Sequence, residues 1–262
     1  MEVYIQYAKK CFQRNLVYKF DYIMGIIKTL MQIFIYISIW KALYQGNEEM
    51  YGISFGMVTT SFIISLAISN TFSIDDSIVY RKIKKGEITN ELLKPVSFNG
   101  LLMAENIGNV LFRIVVNLFP SIIIASLYIE ILPPASLVNF ILFIFSIIFG
   151  FLVLYGISYI VSITSFWVIN VWSISTIKNV FVSVLSGIMI PLWFMPQWAI
   201  DIIKFTPFDS IYFIPMQIYL GQVNSNNIIQ CFAKQSLWIV ILYLLGSKLW
   251  SVAIKRLEIQ GG

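Results

Sequence analysis

Apolar runs of bilayer-crossing length recur from one end of this chain to the other. A helix needs about 20 such residues to cross a hydrocarbon core. Stretches of roughly that length fall at 22–44, 53–74, 107–128, 137–165 and 232–253, with a shorter one at 179–195. Only helices and closed barrels satisfy their backbone groups in lipid, and a barrel would show short alternating segments instead. The 262 residues are 58% hydrophobic and only 12% charged, against about 25% charged in a soluble domain. The expected fold class is all-α: a polytopic membrane protein with six transmembrane helices, reading as a single domain over 1–262.

Residues 1–20 precede the first span and read as an amphipathic helix. At 100° per residue, Tyr4, Ile5, Ala8, Cys11, Phe12 and Leu16 share one arc, with Gln6, Lys9, Lys10 and Gln13 opposite. A basic face that includes Lys9, Lys10 and Arg14, with Phe12 on the apolar side, suits a helix lying at a membrane surface. A plain extension of the first span is the alternative. No short apolar core precedes a small-residue cleavage site here, so the first span is expected to act as an uncleaved signal anchor. Within it, Lys28 and Lys41 lie near enough to the ends to snorkel.

Lys and Arg are unevenly placed. They gather in the N-terminal segment, in the 75–105 loop, at Lys178 and at Lys255-Arg256, and are absent from 45–52 and 129–136. The positive-inside rule then puts both termini and the 75–105 loop in the cytoplasm, which six spans satisfy. Residues 166–178 read as a semi-polar link. Pro191, Pro196, Pro207 and Pro215, interleaved with Trp193, Trp198 and Tyr212, break the region before the last span too often for one straight helix. Residues 196–221 are therefore expected to form an extracellular re-entrant pair of short helices, with aromatic side chains at headgroup level.

Catalytic chemistry is scarce. With no His and with Cys11 and Cys231 far apart, neither a Cys/His metal site nor a Ser-His-Asp arrangement is expected. No GxxxxGK[ST] phosphate loop occurs. Asp75-Asp76 reads as a solvated helix end, Asp201 with Lys204 as an exposed pair, and the Ser158, Ser162 and Ser165 stripe as close helix packing. Nothing points to nucleic acid.

The dense charged stretch at 81–95 is the exception. Its basic front, Arg81 to Lys85, could simply hold anionic headgroups. After Gly86 comes a mixed amphipathic run, Glu87-Ile88-Thr89-Asn90-Glu91-Leu92-Leu93-Lys94, closed by Pro95. Ile88 and Leu92 lie at helical spacing, as a short helix docking into a partner's groove requires.

Three segments carry a resemblance. Lys84-Lys85-Gly86-Glu87-Ile88-Thr89-Asn90-Glu91-Leu92-Leu93-Lys94-Pro95-Val96-Ser97 resembles the loop after the second span in ABC type-2 transporter permeases, most closely a bacterial six-span subgroup with an "I..G.....LL.P.S" pattern. Residues 185–198 resemble that subgroup's "SG...PL.F.P.W", and residues 206–221 its "PF....Y.P...Y.G". Lys85 departs from the smaller or polar residue common at its position.

The resemblance implies a permease subunit of an exporter in the bacterial plasma membrane. It implies a second permease copy, identical or related, two ABC ATPase subunits that hold the ATP and Mg, and a hydrophobic or amphipathic substrate: a drug, a peptide or a lipid-like molecule. Lys84, Lys85, Gly86, Glu87, Ile88, Glu91, Leu92, Leu93 and Pro95 would couple to the ATPase, with Glu87 and Glu91 as polar contacts and Ile88 and Leu92 as the docking face. Lys9, Lys10, Phe12 and Arg14 would belong to an interface helix. Gly187, Pro191, Pro196, Trp198, Pro207, Phe208 and Pro215 would form an extracellular gate. The residues alone leave two alternatives: an ATP-independent secondary transporter or channel, and a membrane scaffold. No span carries a mid-membrane acid of the kind that ion coupling uses.

Overall fold

A computed structural model describes residues 2–16, 19–168 and 170–260. Residues 1, 17 and 18 of the N-terminal segment and 169 of the link lie outside these. The described residues are mainly helical: α1 (Glu2–Asn15), α2 (Lys19–Tyr44), α3 (Phe55–Thr71), α4 (Ile78–Lys84), α5 (Glu87–Leu92), α6 (Phe98–Arg113), α7 (Phe119–Ser126), α8 (Leu137–Ile163), α9 (Val171–Leu185), α10 (Gln197–Lys204), α11 (Phe213–Tyr219) and α12 (Ser225–Gln260). Four helical stretches are long and apolar enough to cross a membrane: Tyr22–Tyr44, Phe98–Ser126, Leu137–Phe166 and Asn227–Arg256. Phe55–Thr71 and Val171–Leu185 are apolar but shorter.

Three boundaries differ from the sequence expectation. The helix of the third expected span begins at Phe98 rather than 107, because Ser97 caps it: its side chain accepts from the Gly100 N–H at 3.2 Å. The expected link at 166–178 is largely helix, since α9 starts at Val171 and ends at Leu185 instead of spanning 179–195. Gly187, at φ +80°, turns the chain just after α9. The last helix is also longer than 232–253, running from Ser225 to Gln260.

The chain packs as two compact units. The first comprises residues 1–73 and 96–133. Here α2 and α3 meet through the Tyr36 and Phe62 rings, stacked at 3.3 Å, and Asn70 donates to Thr29 Oγ1 at 2.9 Å. A two-residue hairpin, β1 (Glu49–Met50) with β2 (Ile53–Ser54), joins the two helices. Tyr51 and Gly52 both have positive φ, as a tight hairpin turn needs. Between α6 and α7, Ile114–Leu118 widens into a π turn in which the Phe119 N–H reaches back to the Ile114 carbonyl. Pro120 follows at once; it lacks an N–H and its ring opposes a regular α turn. The α1 helix lies along α6, its backbone brought close by Gly108: a Cβ there would sit 2.3 Å from the Ala8 carbonyl oxygen.

The second unit comprises residues 74–95 and 134–262. Its centre is α8, with α12 alongside through small residues, as close helix packing in lipid favours. Gly156 faces Leu242 and Gly246 faces Tyr159. The buried Gln235 of α12 accepts from Ser146 Oγ at 3.1 Å and donates to the Ser146 and Ser210 carbonyls at 3.0 and 2.8 Å. The α11 helix rests on the other end of α8, where Asn139 Nδ2 donates to the Ile218 carbonyl at 2.7 Å.

Candidate functional site

The charged stretch forms a folded-back pair of short helices. Gly86, at φ +70°, makes the reversal between α4 and α5, a conformation that costs any residue with a Cβ. Across it, Lys82 Nζ donates to both carboxylate oxygens of Glu91, at 2.7 and 2.9 Å. Both side chains are about nine-tenths buried (10% and 12% exposed). Arg81 pairs with Asp75 at the surface.

The residues expected to couple to an ATPase do not all share one outward face. Ile88 is only 1% exposed, buried rather than offered outward. Glu91 is held by Lys82. The outward face is made of Leu93 (79% exposed), Leu92 and Glu87, with Lys84, Lys85, Gly86 and Pro95 also exposed. Helical spacing alone paired Ile88 with Leu92. The helix is only six residues long, and its Ile88 face turns inward once α5 folds back on α4.

Asp76 is not a solvated helix end. Its carboxylate is fully buried and pairs with Lys178 Nζ at 2.8 Å. The same ammonium donates to Ser158 Oγ at 3.0 Å, and Ser175 Oγ donates to Asp76. Lys178, expected in a polar link, thus stands inside α9 and ties α9 to α8 and to the residues leading into α4. Ser158 carries a polar contact as well as close packing. A pairing across 102 positions leaves no trace in local periodicity, and the sequence reading missed it.

In the first unit, the N-terminal helix turns Tyr4, Ala8, Cys11 and Phe12 inward and leaves Ile5 and Leu16 exposed. Phe12 meets Phe112 edge-on at 5.4 Å. Arg14 donates to Glu105 at 2.9 Å. That bond, ahead of the opposing cost of burial, pushes the Arg14 pKa above its ordinary value. Lys9 and Lys10 are exposed. The apolar arc read from sequence therefore packs mainly on α6.

The Pro-rich segment belongs to the second unit. Pro191 is buried and opens a single 3-10 turn, Leu192–Phe194. Pro196 caps α10, Trp198 on α10 is 68% exposed, and Pro215 is buried in α11. A Cβ on Gly187 would touch Phe213 at 3.2 Å and Leu192 at 3.3 Å, so this turn is tightly enclosed. Phe208 stacks on Phe181 of α9 at 6.4 Å, and Pro207, which precedes it, is half-buried. Asp201 and Lys204 are an exposed pair at 3.4 Å. Sequence reading overlooked Asp209, which accepts from Lys234 of α12 at 2.6 and 2.7 Å. Burial pushes the Asp209 carboxyl above its ordinary range against the pull of Lys234 and Ser210.

A family model described as ABC-2 family transporter protein matches residues 29–261. No curated protein matches the chain.

Proposed function

The chain belongs to the ABC-2 family of transporter proteins, a multi-pass membrane permease of an ABC transporter, and from that premise we propose that it is the transport subunit of an ATP-driven exporter. In this reading ATP and Mg are held by two separate ATPase subunits, and a second permease, identical or related, completes the complex. The cargo is a hydrophobic or amphipathic molecule carried out of the cell or between leaflets of the plasma membrane. Both termini and the α4–α5 element lie in the cytoplasm, and the Pro-rich segment lies outside.

One observation carries the reading: α4 and α5 form a braced unit that presents Leu92, Leu93 and Glu87 outward. An exposed apolar pair beside a carboxylate, on an element locked by an internal ion pair, suits docking into a groove of a partner. The Asp76–Lys178 pair gives that element a firm connection to α8 and α9. Motion imposed by an ATPase therefore has a rigid route into the helices.

The test is the double substitution L92D/L93D. Both side chains are at the surface, so the permease still folds. The expected result is loss of co-purification with the ATPase subunits and of substrate-stimulated ATP hydrolysis. Unchanged co-purification and hydrolysis would remove the coupling role from this element. Transport in sealed vesicles driven by an ion gradient without ATP would replace the reading with an ATP-independent one.

A further inference from the structure

A cavity of about 490 Å3 opens in the second unit among α10, α11 and the first turns of α12. Pockets of about 300–1,000 Å3 hold small organic ligands. The walls are chemically divided. On one side Trp193, Ile200 and Phe213 present apolar surface, with the Trp193 and Phe213 rings edge-on at 5.3 Å. On the other stand Gln217, Asn227 and Gln230, whose side-chain amides make no hydrogen bond to the chain among the described residues. Each amide brings two donors and an acceptor to the wall.

Charge sets the preference for a head group. Lys234 lines the cavity and spends two donors on Asp209; an ammonium has three. Lys204 lines it too, exposed and in a loose 3.4 Å pair with Asp201. Each ammonium has a carboxylate partner, but Asp201 is not among the lining residues and both Asp209 oxygens are engaged by Lys234, so the wall offers unspent ammonium donors to an acidic head and no open carboxylate to a basic one. This favours an anionic head and disfavours a cationic one.

We propose that this cavity binds an amphiphile whose head carries an amide and a carboxylate and whose tail is apolar. The head meets Gln217, Gln230 and Lys234; the tail lies on Trp193, Ile200 and Phe213. As a stop for exported cargo the site rests on the permease reading, whereas as a binding site it stands on its own geometry.

The experiment uses the full chain in lipid nanodiscs and a photoreactive N-acylglycine with a diazirine in its acyl chain. Labelled peptides are mapped by mass spectrometry. Label is expected to concentrate on the peptides around Trp193, Ile200 and Phe213. Excess N-lauroylglycine displaces it, and dodecyltrimethylammonium at the same concentration does not. Gln230→Leu changes an exposed side chain on α12, so the fold is kept, and it weakens competition by N-lauroylglycine by about tenfold, the worth of one lost hydrogen bond to a charged head. Label spread over lipid-facing helices, equal displacement by the cationic amphiphile, or Gln230→Leu competition matching the unsubstituted chain would each overturn the site. Loss of ATPase coupling in L92D/L93D leaves the labelling unchanged, and absent labelling leaves the coupling result standing, so the two ideas fail separately.

Discussion

Lys82 clasps Glu91 through both carboxylate oxygens, at 2.7 and 2.9 Å, and so holds α5 against α4 across the left-handed Gly86. The pair is mostly withdrawn from water. Its partners are therefore expected to matter more than those of a surface pair, which contribute about 0–1 kcal/mol. Lys82→Met leaves a buried carboxylate without this partner and should destabilise the element by about 1–3 kcal/mol. Substrate-stimulated ATP hydrolysis should fall while the global unfolding temperature changes little. Measuring both on the purified complex separates loss of bracing from loss of fold.

The Asp76–Lys178 pair is more deeply buried, with side-chain exposures of 0% and 6%. Removing one partner strands a charge in the interior. Asp76→Asn or Lys178→Met alone should each cost about 3–5 kcal/mol, and replacing both should recover much of that loss. A double-mutant cycle by chemical denaturation in detergent checks this. Additive single effects would show that the two charges act independently.

Gly108 allows α1 to approach α6 backbone to backbone. A methyl group 2.3 Å from the Ala8 carbonyl oxygen has no room, and the obstacle is main chain rather than a side chain that can swing away. Gly108→Ala should therefore lift α1 from α6, breaking the Arg14–Glu105 contact. Limited proteolysis should then cut within 2–16 much faster than in the unsubstituted chain, with the remaining helices intact.

Asp209 sets a pH dependence. Its carboxyl is held above the ordinary value of 3.8, first by burial. The folded chain therefore binds this proton more tightly than the unfolded chain. That contribution to stability is full below 3.8 and is lost as pH rises through the raised value. Asp209→Asn should remove this part of the slope. Thermal unfolding of both proteins from pH 3.5 upward reads the difference, and identical slopes would show that the carboxyl does not contribute.

Much of the architecture was legible because lipid imposes a simple code. Long apolar runs with charge at their ends mark helices, so Leu137–Ile163 matches its expected span closely. The run of prolines from Pro191 to Pro215 marks breaks, and short helices are found there. Boundaries shifted where a polar residue served structure instead of solvent. Ser97 caps a helix inside the expected loop, and Lys178 continues one inside the expected link. In the charged stretch, helical spacing located a short helix after Gly86 but could not orient it.

By itself, then, the sequence determined that this is a helical membrane protein, where its charge lies, and that a short amphipathic run follows Gly86. These follow from composition and local backbone preference, which act over a few turns at most. Only the tertiary structure decided that Ile88 faces inward while Leu93 faces out, that Asp76 meets Lys178, that Asp209 meets Lys234, and that α10, α11 and α12 enclose a divided cavity. Those outcomes depend on desolvation and on partners brought from distant positions, and no window along the chain holds both halves of such a pair.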